Sequence, residues 1–144
     1  MKKLQKVLKE LIKSKLTSVQ RMEVSSSRIS EDNIIKSVLQ SDMEKIKLTL
    51  EDIDTDTFDK AVESILNANK IYILGVRSSA PLASFLGFYF NLIFDNVRLV
   101  HTTSVSEMFE QIIYASEKDV IIGISFPRYS KRTISALKFG KRRG

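Results

Sequence analysis

The chain has 144 residues, a length that suits one domain, and its 43% hydrophobic and 28% charged content is globular rather than disordered. It has no cysteine and a single histidine, His101, which excludes disulfide scaffolds, zinc fingers, thiol catalysis and iron–sulfur clusters. The net charge of +6 conceals two basic ends around an acidic middle: residues 1–22 carry seven Lys/Arg against Glu10, residues 128–144 carry seven and no acid, and residues 23–127 carry nine against sixteen acids. That distribution does not describe a uniformly basic nucleic-acid binder.

From Lys2 to Leu16 the apolar residues Leu4, Val7, Leu8, Leu11, Ile12 and Leu16 share one face of an amphipathic helix whose other face is lysine-rich. Residues 17–33 are polar and serine-rich, the composition of a linker. A second helix is predicted over Ile34–Leu50, with Ile35, Val38, Leu39, Ile46 and Leu50 on one side. A third, Thr57–Asn69, places Phe58, Val62, Ile65 and Leu66 at helical spacing.

Ile71–Leu74 is a short apolar run ending at Gly75, the mark of a buried parallel strand. Ser79–Phe94 is helical, with Pro81 tolerated in the first turn. Val97–Val100 is a strand, Ser104–Ser116 a helix, Val120–Ile124 a strand and Ser130–Arg143 a last helix. The longest apolar stretch, Ala80–Phe94, is interrupted by Ser84, Gly87 and Asn91 and falls short of the roughly 20 residues of a membrane span. Without a secretory signal, a cytoplasmic location is the expectation.

Strands and helices alternating through short loops make βαβ units and a parallel sheet covered on both faces. The expected architecture is α/β, a three-layer αβα sandwich preceded by N-terminal helices. Three strands make a small sheet, and Gly144 follows the last helix where a further strand normally comes, so the fold reads as incomplete at its C-terminus.

Ligands of such sheets bind beyond the carboxyl ends of the strands. The three loops there, with Thr133 one turn into the last helix, hold eight Ser or Thr, including Ser78, Ser79, Thr103, Ser125 and Ser130. Arg77, Arg128, Lys131 and Arg132 add positive charge, and no carboxylate occurs. Hydroxyls and free N–H groups at helix N-termini suit a bound phosphate and do not suit a metal. Ser79, Ser104 and Ser130 can equally be plain helix caps. His101 and Glu107 are the nearest candidates for a general acid or base, but His101 reads first as a packed strand-end residue, and no catalytic residue or cofactor is assigned. The apolar FLGFYFNLIF stretch reads as core or subunit interface.

The segment IYILGVRSSAPLASFL resembles the first strand–loop–helix of a SIS (sugar isomerase) domain, whose pattern is Gly-x-Gly-x-Ser. Gly75 and Ser79 match it, and Arg77 replaces the second glycine. The segment DVIIGISFPRYSKRTISALKFGKRRG resembles the third, with the pattern Ser-x-Ser-x-x-Thr-x-x-Thr. Ser125 and Thr133 match, Pro127 departs, and Ser130 keeps a hydroxyl. These forms look most like the MurR/RpiR family of transcriptional regulators, and LQKVLKELIKSKLTSVQRMEVSSSRI looks like the end of that family's helix-turn-helix domain with its linker.

The resemblance implies a flavodoxin-like strand order and a sugar-phosphate-sensing regulator rather than an enzyme. Residues 1–16 would be the last helix of the helix-turn-helix domain, 17–33 the linker and 34–144 the SIS domain. The rest of the DNA-binding domain would precede Met1, and the final SIS strands would follow Gly144. Ser79, Ser125, Ser130 and Thr133 would contact a phosphorylated sugar or amino sugar, with Ser78 and Thr103 as further contacts. Arg77 would place a guanidinium near the phosphate. The implied partners are that effector, DNA and a second copy of the chain, with no membrane. The rival readings are a SIS sugar-phosphate isomerase or related enzyme, and a module serving dimerisation only.

Overall fold

The computed structural model describes residues 19–20, 33–101 and 104–143. The helix expected over Lys2–Leu16 lies outside them. Val19 and Gln20, within the predicted linker, are helical. The chain divides into two compact units, Met1–Thr55 and Asp56–Gly144. Helix α1 (Ile34–Asp52) belongs to the first. None of its residues is buried, and Ile35, Leu39, Ile46 and Leu50 are exposed.

The second unit follows the predicted alternation. It runs α2 (Thr55–Leu66), β1 (Ile71–Gly75), a 3-10 turn (Arg77–Ser79), α3 (Ala80–Asn91), β2 (Val97–Leu99), α4 (Val105–Ile112), β3 (Val120–Ile124) and α5 (Lys131–Lys141). α3, α4 and α5 are shorter than predicted by four, five and three residues, while α2 begins two residues before the expected Thr57 and ends three before Asn69. α3 begins one residue late because Arg77–Ser79 form a separate 3-10 turn, with Pro81 in the first turn as expected.

The strands are all parallel, in the order β2-β1-β3, with Ile71 in register with Val97 on one side and Val120 on the other. This is the flavodoxin-like order. β1 is central and buried along its whole length, as a parallel strand covered on both faces must be. Its side chains alternate between two cores. Ile71 and Ile73 pack with Ala83 and Val97, against partly buried Ile65, Phe90 and Phe94 of the α2/α3 side. Tyr72 and Leu74 pack with Met108, Ile112 and Ala136 of the α4/α5 side. The result is three layers. Burying side chains such as Ile71, Ile73, Leu74, Met108 and Ile112 stabilises the unit by about 1.5–3 kcal/mol each.

Helix α3 is apolar around its circumference and divides its faces. Ala83 and Gly87 are buried against the sheet, whereas Leu82, Phe85, Phe88, Tyr89, Leu92 and Ile93 are exposed.

Burial pushes the Tyr72 phenol above its ordinary value; the Asp119 carboxylate adds to the rise and the Arg98 guanidinium opposes it. A raised value in the folded state means that Tyr72 contributes stability below the ordinary tyrosine value of 10.0 and loses it as pH climbs through the folded value. Urea unfolding from neutral pH upward is expected to show wild-type stability falling more steeply than that of Tyr72→Phe once pH exceeds the ordinary tyrosine value of 10.0. Identical slopes would mean that the buried phenol is not the group titrating.

Candidate functional site

From β1 the chain passes to β2 on one side of the sheet, with α3 on one face, and then to β3 on the other side, with α4 on the opposite face. The loops leaving β1 and β3 therefore diverge, which opens a crevice at the carboxyl ends of these two strands. A cleft of about 560 Å³ lies there, lined by residues 76–79 after β1 and residues 125–132 after β3.

Four of its lining residues, Arg77, Arg128, Lys131 and Arg132, are cationic and none is acidic. The N-terminus of α5 opens onto the same loop. Its dipole and its unbonded first-turn N–H groups add to the positive potential. Phe126 and Tyr129, both exposed, put two aromatic rings beside the charges.

Arg77 and Arg128 both have positive φ, 59° and 67°. Side chains other than glycine reach that region at a cost of roughly 1–3 kcal/mol. This explains the glycine of the resembled pattern at position 77: the turn needs a left-handed residue, and here an arginine bears the strain.

The serines of the two loops are largely engaged with the backbone. Ser79 is 2% exposed. Its Oγ accepts the Val76 N–H at 3.0 Å and donates to the Ile124 carbonyl at 2.7 Å, with the Val76 carbonyl at 3.1 Å as the other acceptor. It ties the 3-10 turn to the end of β3 and does not cap α3. Ser125 Oγ accepts the Ser130 N–H at 3.0 Å and so closes the β3 loop. The Ser130 hydroxyl, at the N-cap position of α5, makes no capping bond. Ser78 is exposed on the cleft wall.

Thr133 sits in the first turn of α5, beyond the lining residues. It is 2% exposed, and its Oγ1 is buried without a hydrogen-bond partner. Its methyl is turned toward β3, where a Cβ on Gly123 would lie 3.1 Å from it.

Thr103 lies outside the described residues. The neighbouring parts of the β2 loop do not line the cleft, because the strand order puts β2 on the far side of β1 from β3. His101 is exposed, and its backbone N–H and carbonyl are paired with the Gln111 side chain at 2.8 and 2.9 Å. Ser104 is a plain helix cap: its Oγ accepts the Glu107 N–H at 3.1 Å. Sequence reasoning passed over Gln111, whose amide fastens the β2 loop to α4. It also left Phe126 and Tyr129 out of the site, although both stand between Ser125 and Ser130.

Among the described residues no group of three His, Cys, Asp or Glu could hold a metal ion, and no helix is long and apolar enough to cross a membrane.

Two comparisons bear on this arrangement. The family profile described as "SIS domain" matches residues 64–144, which include all three strands and both walls of the cleft. A Clostridium perfringens protein named as an uncharacterized HTH-type transcriptional regulator is 27% identical over 140 residues, which are 94% of this chain and 48% of that protein. The chain thus spans about half the length of that relative. No solved structure matches significantly.

Proposed function

The chain belongs to the SIS-domain family, and we propose that it is the effector-sensing part of a MurR/RpiR-type transcriptional regulator, whose cleft binds a phosphorylated sugar or amino sugar. The observation that carries the reading is the acid-free cleft at the β1/β3 switch point, with four cations and the α5 N-terminus on its walls. A phosphate there is held by first-turn N–H groups of α5 and by charge-assisted contacts. The likeness to the Clostridium protein named as an HTH-type transcriptional regulator supports a regulator. The lining offers neither carboxylate nor imidazole for proton abstraction beside a carbonyl, which favours a sensor over an isomerase. DNA would be contacted by a helix-turn-helix segment, and effector occupancy would alter that contact.

In this reading the Ser130 hydroxyl is the direct contact, Ser78 and Arg77 line the wall, Ser79 and Ser125 hold the two loops in place, and Thr133 is buried behind them in the first turn of α5. A thermal-shift screen of hexose and amino-sugar phosphates tests it. Ligand at a hundred times its Kd is expected to stabilise the chain by about 2.7 kcal/mol. Ser130→Ala is expected to reduce that shift, whereas Thr133→Val, which removes an unpaired buried hydroxyl, is expected to leave it in place and to raise the stability of the free protein. No shift with any sugar phosphate would overturn the assignment, and turnover of the bound compound would replace the sensor by an enzyme.

The proposed regulator is a homo-oligomer that buries the exposed face of α3. Phe85→Lys with Leu92→Lys is expected to convert it to monomer in sedimentation velocity while retaining its helical circular dichroism. An unchanged sedimentation coefficient would place the interface elsewhere.

A further inference from the structure

The charge of the cleft exceeds what one phosphate requires. A sugar phosphate brings about two negative charges, and helix N-termini bind such groups through backbone N–H donors alone. The cleft adds Arg77 from one wall and Arg128, Lys131 and Arg132 from the other. Among the described residues neither Arg77 nor Arg128 is paired with a carboxylate. Both arginines also occupy left-handed backbone positions that glycine would fill without strain. Two strained arginines on facing loops of one cleft are costly features whose benefit must come from the side chains.

Resting on the phosphosugar reading, we infer that the effector carries a second anionic group, a further phosphate or a sugar-acid carboxylate, and that Arg77 and Arg128 select for it. One anionic group sits at the α5 N-terminus and the other is held by these guanidiniums, which suit both phosphate and carboxylate through paired N–H donors. Phe126 and Tyr129 border the space between. A neutral-bodied hexose phosphate leaves the arginines without a counter-charge and binds less tightly.

The test is isothermal titration of the full chain with fructose 1,6-bisphosphate, 6-phosphogluconate, glucose 6-phosphate and inorganic phosphate at about 0.15 M ionic strength. At least one of the two doubly anionic compounds is expected to bind about tenfold tighter than glucose 6-phosphate, the gain of one added charge-assisted contact. The bisphosphate and the sugar acid separate the two sources of the second charge. Arg77→Gly and Arg128→Gly are each expected to reduce that ratio to about threefold or less, while their unliganded melting temperatures equal or exceed the wild type because the strain is relieved. That stability readout separates lost recognition from lost folding. Equal affinity for singly and doubly anionic sugars, or a ratio unchanged in both variants, would overturn the inference and leave the phosphosugar site standing. Failure of all three sugar phosphates to bind would remove both.

Discussion

Ser79→Ala is expected to destabilise the α/β unit by about 2–4 kcal/mol, because one hydroxyl serves two backbone groups, one on each wall of the cleft. The Val76 N–H, on a residue 6% exposed, loses its acceptor at 3.0 Å. The Ile124 carbonyl loses its donor at 2.7 Å. Each group left unsatisfied away from water costs about 1–3 kcal/mol. For a unit of this size the loss corresponds to a fall in Tm of roughly 10–25 °C. Thermal unfolding followed by circular dichroism reads it directly. A drop below about 1 kcal/mol would show that water replaces the hydroxyl and that the latch is dispensable. Ligand affinity should fall as well, since the latch joins the two walls of the cleft, but through geometry rather than through a lost contact.

Gly75→Ala is the second large effect. A Cβ on Gly75 would lie 2.5 Å from the Ser79 carbonyl oxygen, 2.8 Å from its carbon and 3.0 Å from Ala83 Cβ. Two of these atoms are backbone, and the third is a methyl fixed to α3, so no flexible side chain can move aside. The 3-10 turn and the start of α3 must shift. The expected cost is about 1–3 kcal/mol from overpacking, or more if the Ser79 bonds are broken too. Because Arg77 and Ser78 lie in the displaced turn, the effector-induced rise in Tm should vanish. Gly87→Ala is the control. Its added methyl would meet Leu99 Cδ1 at an ordinary 3.5 Å, and an alanine inside α3 should be neutral or stabilise by up to about 1 kcal/mol. If both variants behaved alike, the close approach at Gly75 would not be the cause.

Much of the fold can be read directly along the chain. A strand covered on both faces needs an unbroken apolar run, so the buried Ile71–Leu74 and the half-buried Val120–Ile124 declare themselves. The helices declare themselves through the spacing of residues such as Met108 and Ile112. Their ends are less legible, because the capping geometry at Ser104 or the extra turn at Arg77–Ser79 depends on a few local bonds rather than on a repeating pattern. α1 has the amphipathic spacing of a packed helix, yet none of its residues is buried, since periodicity states which face is apolar and not whether anything covers it.

The sequence by itself determined the kind of fold and the chemistry of its loops. Apolar runs, helical spacing and hydroxyl-rich strand ends are local properties, written in consecutive residues. The order β2-β1-β3 was legible only through the family resemblance, because no local pattern encodes which strands become neighbours. Tertiary structure decided what that order does: it brings the β1 and β3 loops together, leaves His101 and Ser104 out of the cleft lining, and spends the Ser79 hydroxyl on a carbonyl 45 residues away in the chain. It also decided that Arg77 and Arg128 stand at left-handed positions. A backbone angle of that kind is imposed by how a loop must close between packed elements, and an arginine in a sequence does not announce it.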